Sequence, residues 1–225
     1  MELDTESIEK RMVQGLPGAT AVCKNNPYIS GDMQRYSCKV DLLPYADAEF
    51  HIISEPDIDR TMIYLDDIDT YRDAVGNTLQ KQGIGKKIFS NLVAVAQELD
   101  VDKLSVQAAR MGSYMWLRAG FLPDKLLTQH VMSEVYGRLS RLKAPAEAIN
   151  VLKADLESLD PKSLWRIADS VYGRELLQNI EYTASIDLRG DPAATKRLLE
   201  YTTLTKEQDR AVIEVLQHAN EVVLR

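Results

Sequence analysis

Apolar residues return every three or four positions from Ile84 onward, and the set Ile84, Ile88, Leu92, Val95, Ala96 and Leu99 forms one stripe. That period predicts a helix buried along one side. Upstream the period shortens. Arg35 to Ile53 carries Tyr36, Val40, Phe50, Ile52 and Ile53 around Leu43-Pro44-Tyr45-Ala46-Asp47, which reads as two strands joined by a turn. Thr61 to Asp67 is a further strand, with Met62, Tyr64 and Asp66 on one face and Ile63, Leu65 and Asp67 on the other. Leu104 to Ala109 alternates as the next strand; Gly112 to Ala119 reads as a short helix closed by Gly120, after which Phe121 and Leu122 return to apolar structure. Ahead of all these, residues 1 to 14 predict a short polar helix, ended by the breakers Gly15-Leu16-Pro17-Gly18.

Beyond Pro123 the pattern turns helical, from Asp124 to about Leu142 and again from Pro145 to Leu159. Asp160-Pro161 fits a cap followed by proline at the first helical position, opening a helix through Leu164, Trp165, Ile167 and Val171 that Gly173 ends. Glu175 to Leu188 alternates loosely and reads as a late strand or hairpin; Asp191-Pro192 opens another helix. A last helix starts at Thr205, whose spacing to Gln208 fits a capping box.

Composition narrows the class of molecule. At 225 residues and 45% hydrophobic the chain can bury a sizeable core. No stretch reaches the roughly 18 apolar residues of a membrane span, and the first residues lack the basic and apolar segments of a signal peptide, so a cytoplasmic protein is expected, with no membrane partner. Cys23 and Cys38 are read as reduced thiols, since a chain of this size needs no staple. A net charge of −7 argues against a nucleic-acid surface and favours a cationic partner such as an amine. His51, His130 and His218 are far apart in the chain with no Cys/His or HExxH cluster, so no metal site is expected.

The segment that suggests a ligand is Gln80-Lys81-Gln82-Gly83-Ile84-Gly85, running into the predicted helix. Glycines one residue apart let the backbone turn tightly and leave N–H groups unpaired at a helix start, an arrangement that holds phosphate. A plain loop-to-helix turn has the same pattern. The segment is no Walker loop, because Gln80 stands where a glycine and Lys87 where a Ser or Thr would be required; it also fails the dinucleotide pattern, which would need a glycine at Ile88.

It does fit Q/R-x-x-G-x-G/A, and with it residues 35 to 123 resemble the GNAT superfamily of acyl-CoA-dependent N-acyltransferases. In that family a strand leads into the loop, the loop amides hold the pyrophosphate of acetyl-CoA, and a strand and a short helix ending in Gly-Phe follow. Those parts would be Thr61 to Asp67, Gln80 to Gly85, Lys86 to Leu99, Leu104 to Ala109, and Gly112 to Gly120-Phe121. The resemblance implies an α/β (α+β) fold, a mixed central sheet with flanking helices, to which a helical insertion and C-terminal helices are added. Residues 1–123 would be the acyl-CoA-binding core, 124–173 the insertion, and 174–225 the late strand and closing helices. The insertion would shape the acceptor pocket, cover the acyl group or mediate self-association, a homodimer among the readings.

Carried over by position, the resemblance puts Gln80 and the amides of Gln82, Gly83, Ile84 and Gly85 on the cofactor phosphates, with Lys86 or Lys87 adding charge. It implies transfer of an acetyl group from acetyl-CoA to a primary amine of a small molecule or protein. Members often carry a tyrosine four residues before Gly-Phe, as acid for the departing thiolate; here Trp116 stands there, and an indole N–H is no useful acid. Tyr114 is the substitute on offer, although on a helix it points about 200° away from Trp116. Asp66 and Asp67 end the strand beside the cofactor and are candidates for the base, with Asp69, Glu55 and Asp57 on flanking segments. The Trp116 departure supports a second expectation, a catalytically impaired module that binds CoA or a protein partner in a regulatory or effector role.

Overall fold

Antiparallel pairing organises the first half of the chain. In the computed structural model, which describes residues 3–26, 34–42, 46–55, 60–70, 83–109, 112–205, 207, 208 and 210, strands β1 (Thr20–Asn26), β2 (Gln34–Leu42), β3 (Ala46–Glu55) and β4 (Arg60–Thr70) pair each with the next. Alternate residues of these strands make one apolar face: Tyr36, Cys38 and Val40; Ala46, Ala48, Phe50 and Ile52; Ile63 and Leu65, all buried. Helices α1 (Thr5–Met12) and α2 (Ile84–Glu98) pack with this part of the sheet and with each other. Asn91 of α2, itself buried, donates to the carbonyls of Met12 and Gln14 at 2.9 Å each, satisfying groups left open at the end of α1. The backbone N–H of Asp102 donates to Thr61 O and Asp102 Oδ2 accepts from Thr61 N, both at 2.8 Å, tying the start of β4 to the start of β5 (Lys103–Ala108).

The chain divides into two compact units, Met1–Leu104 with Thr202–Arg225, and Ser105–Tyr201. The fold is α+β. Strand order in the first unit is β1-β2-β3-β4 with the first residues of β5; in the second it is β5-β7-β6, where β6 is Leu122–Pro123 and β7 is Tyr182–Asp187. Helix α3 (Gly112–Arg118) precedes β6. Between β6 and β7 stand α4 (Lys125–Leu139), α5 (Ala146–Glu157), α6 (Ser163–Asp169) and α7 (Gly173–Leu177), and α8 (Pro192–Thr202) follows β7. Buried polar contacts hold these pieces: Trp165 Nε1 donates to Phe121 O at 3.2 Å, and the Tyr182 hydroxyl donates to Ser113 O. Asp191 Oδ1 accepts from the N–H groups of Ala193 and Ala194 at 3.1 Å, the expected cap of α8; Thr205 and Gln208 exchange the two bonds of a capping box, both 3.1 Å.

Four local expectations are corrected. β1 had no signal, because Ala21, Val22 and Cys23 are its only apolar residues; pairing with β2 supplies what its own pattern lacks. In that pairing Cys23 lies opposite Cys38 and the two form a disulfide, so they are not the reduced thiols expected. Gly173 opens α7 rather than closing the preceding helix, which ends at Asp169; a Cβ at Gly173 would lie 2.5 Å from the carbonyl oxygens of Ile167 and Ala168. The glycine is there for close approach. The late strand is correspondingly shorter, since Glu175 to Leu177 belong to α7.

The most consequential correction concerns β4. Phe50 pairs with Leu65 but Glu49 pairs with Asp67, leaving Asp66 as an extra residue, a β-bulge. Past it Ala48 pairs with Ile68 and Asp47 with Asp69. Directly opposed residues share a face, so Asp67 and Asp69 stand on the side of Glu49 and His51, while Ile68 stays on the apolar side with Ala48. The expected separation of Asp66 and Asp67 onto opposite faces does not occur.

Among the described residues no helix is long and apolar enough to cross a membrane.

Candidate functional site

Helix α2 begins at a glycine in the left-handed region. Gly83 is its N-cap with φ 83° and ψ 0°, and its carbonyl accepts the first intrahelical bond from Lys87 N at 2.9 Å. A residue with a Cβ pays a steric penalty there, which gives this glycine a backbone role. No side chain among the described residues caps the helix and its first turn holds no acid, so its amides and the positive end of its dipole suit an anion. Ile84 is buried, while Gly85, Lys86 and Lys87 are half-buried. Lys86 Nζ donates to Thr203 O at 3.1 Å, and the stem of Lys87 packs on the backbone of Gly15, where a Cβ would meet Lys87 Cε at 2.9 Å. Gln80 and Gln82 lie outside the described residues, as does Asp57.

The face of β2–β4 opposite the apolar one carries the titratable groups. His51, only 8% exposed, is held from both ring nitrogens: Nδ1 is 3.0 Å from Ser37 Oγ on β2, and Nε2 is 2.7 Å from Asp66 Oδ2 on β4. Ser37 and Tyr64 are its two cross-strand partners, so one row across three strands reads Ser37, His51, Tyr64. In the next rows stand Glu49 with Asp66 and Asp67, then Asp47 with Asp69. The bulge thus gathers five carboxylates beside one buried imidazole. Asp67 shows the effect: its carboxyl is held above the ordinary carboxylate range by partial burial and then by the charges of Asp69, Asp47, Glu49 and Asp66. Donor atoms of Glu49, His51 and Asp66 all lie within 4.8 Å of one another. The three histidines stay apart; what the sheet brings to His51 is the two carboxylates.

Tyr114 belongs to the second unit. Its hydroxyl accepts from Arg118 Nη1 at 3.3 Å, one helical turn on, and the guanidinium carbon lies 5.8 Å from the ring centre. Neighbouring Tyr201 is pushed up to about 12 by burial. Trp116 packs edge-on to Phe121, ring centres 5.3 Å apart, with its indole nitrogen beside Gly112. Asp69 is exposed and Glu55 pairs with Arg60 across the β3–β4 ladder.

Sequence reasoning named Asp66 and Asp67 but missed Ser37, Glu49 and His51. The available signal was register: with β2 and β3 paired about their turn, Ser37 falls opposite His51. The bulge had a signal of its own: apolar Ile63 and Leu65 are followed by Ile68, a shift of phase across the two consecutive aspartates Asp66 and Asp67. Comparison of this chain with protein-family models, with curated proteins and with solved structures finds no match.

Proposed function

We propose that this chain is an acyl-CoA-dependent N-acyltransferase that moves an acetyl group from acetyl-CoA to a primary amine. The observation that carries the reading is the left-handed Gly83 at the start of α2, which no described side chain caps, in a chain order of β4, α2, β5, α3 and Gly120-Phe121, the order the GNAT resemblance implies. The amides of Gly83, Ile84 and Gly85 would hold the pyrophosphate, with Gln80 and Gln82 completing the loop. Acetyl-CoA supplies an acyl carbon activated by a thiol leaving group. What the protein adds is an acidic face. The carboxylates of Asp47, Glu49, Asp66, Asp67 and Asp69 attract a cationic amine, and Asp67, whose carboxyl is held above its ordinary range, is suited to take the proton that the amine must lose.

The test is acetyl-CoA binding followed by turnover. At about a hundredfold its dissociation constant the ligand should stabilise the fold by roughly 2.7 kcal/mol, and Gly83→Asp or Gly85→Asp should remove that shift. Thiol release in the presence of polyamines, aminoglycosides or basic peptides then reports transfer. No shift at millimolar acetyl-CoA defeats the proposal. A second reading, a module that binds without turnover, is favoured by the packing of Trp116 against Phe121 in the tyrosine position; tight binding with no acceptor-dependent thiol release would select it.

A further inference from the structure

We propose that Glu49, His51 and Asp66 bind a divalent transition-metal cation of the Zn2+, Mn2+ or Co2+ type. Their three donor atoms lie within 4.8 Å of one another. Donors sharing one ion at about 2.1 Å stand roughly 3 to 4 Å apart, so modest side-chain rotation closes the set around an ion. His51 is the constrained member. Its imidazole is buried, and Nδ1 at 3.0 Å from Ser37 Oγ can donate its proton there, which leaves the Nε2 lone pair for a ligand on the side of Asp66. A metal-binding imidazole is commonly fixed in this way through its second nitrogen.

Nε2 stands 2.7 Å from Asp66 Oδ2, so two of the three donors already face each other. The carboxylates of Glu49 and Asp66 neutralise the two positive charges of the ion. One nitrogen and two oxygen donors suit Zn2+, Mn2+ or Co2+, whereas Ca2+ and Mg2+ prefer oxygen alone. The donors sit on two paired strands, with Glu49 and His51 two residues apart on one face and Asp66 at the bulge, so their spacing is set by the ladder rather than by a loop. Asp47, Asp67 and Asp69 on the same face raise the local concentration of cations.

The site does not depend on the acyl-transfer reading. Chelator-stripped protein is titrated with ZnCl2 by calorimetry and with CoCl2 by visible absorption. The expected result is one equivalent bound, with Glu49→Gln and Asp66→Asn each weakening it at least about tenfold, Ser37→Ala by about tenfold, and Asp69→Asn by much less. His51→Ala should abolish it, and because Glu49 is exposed, Glu49→Gln keeps the test free of any folding defect. No stoichiometric binding, or binding unchanged in Glu49→Gln and His51→Ala, overturns the proposal. The acetyl-CoA stability shift, measured on the same samples, is expected to persist in Glu49→Gln and so reports separately on the acyl-transfer reading.

Discussion

His51 Nε2 is 2.7 Å from Asp66 Oδ2, across the β3–β4 ladder at the point where that ladder gains a residue. The contact depends on the bulge for its approach and on Ser37 for the orientation of the ring. His51→Ala would leave Ser37 and Asp66, both half-buried, without this partner. A loss of about 1 to 3 kcal/mol in urea unfolding is expected. A loss below a few tenths would mean that solvent already satisfies both groups.

Asp67 should make neutral pH less favourable for the fold. Its folded-state pKa is raised above the ordinary carboxylate value of 3.8, through burial first and neighbouring carboxylates second, so the folded chain holds this proton more tightly than the unfolded one. The stability it contributes is therefore present below 3.8 and is lost as pH rises through the raised value. Asp67→Asn should flatten that descending limb and raise stability at pH 7 by a few tenths of a kcal/mol, small because the group is largely exposed and screened. Thermal melts of both proteins from pH 3 to pH 7 would read it; parallel profiles would refute it.

The same charges bear on the acceptor. If a cationic amine docks on the Asp47, Glu49, Asp67 and Asp69 face, added salt should raise KM for the amine while leaving kcat nearly unchanged. Steady-state kinetics at low and high NaCl would show it. A salt-independent KM would place the acceptor elsewhere.

Cys23 and Cys38 close a loop with a sequence separation of 15. A loop of this size is tied by a disulfide worth about 3 kcal/mol. Reduction, or Cys23→Ala with Cys38→Ala, should lower stability by about that amount, and alkylation of the unreduced protein should find no free thiol. Quantitative labelling of both cysteines without reductant would contradict the bond.

Gly83 should tolerate no side chain without cost. At φ 83° an alanine meets the following carbonyl, and Gly83→Ala is expected to lose about 1 to 2 kcal/mol even in the absence of ligand. Gly85, inside the first turn of α2, should gain or lose far less on the same change. Equal effects at both positions would mean that the turn relaxes.

Local pattern was a good guide wherever one element answered to its own residues. The stripe of Ile84, Ile88, Leu92, Val95 and Ala96 is buried in α2, and the cap at Asp191 and the capping box at Thr205 and Gln208 are made as their spacing predicts. It failed where the partner decides. Thr20–Asn26 is a strand because β2 offers it a ladder, Gly173 begins a helix because two carbonyls of α6 crowd it, and His51 gains Ser37 and Asp66 only through pairing of strands. Such facts belong to register and close approach, which no window of a dozen residues contains.

The extra residue at Asp66 is separable from the surface around it. Remove Asp66 and the strand runs Leu65, Asp67, Ile68, Asp69 in strict alternation, so Asp67 and Asp69 keep the side of Glu49 and Ile68 keeps the side of Ala48. A three-base deletion there would thereby regularise the ladder, bury no charge and take away only the carboxylate that meets His51. Asp66 is thus an addition to a strand that is complete without it: the acidic face outlives its loss and the imidazole contact does not.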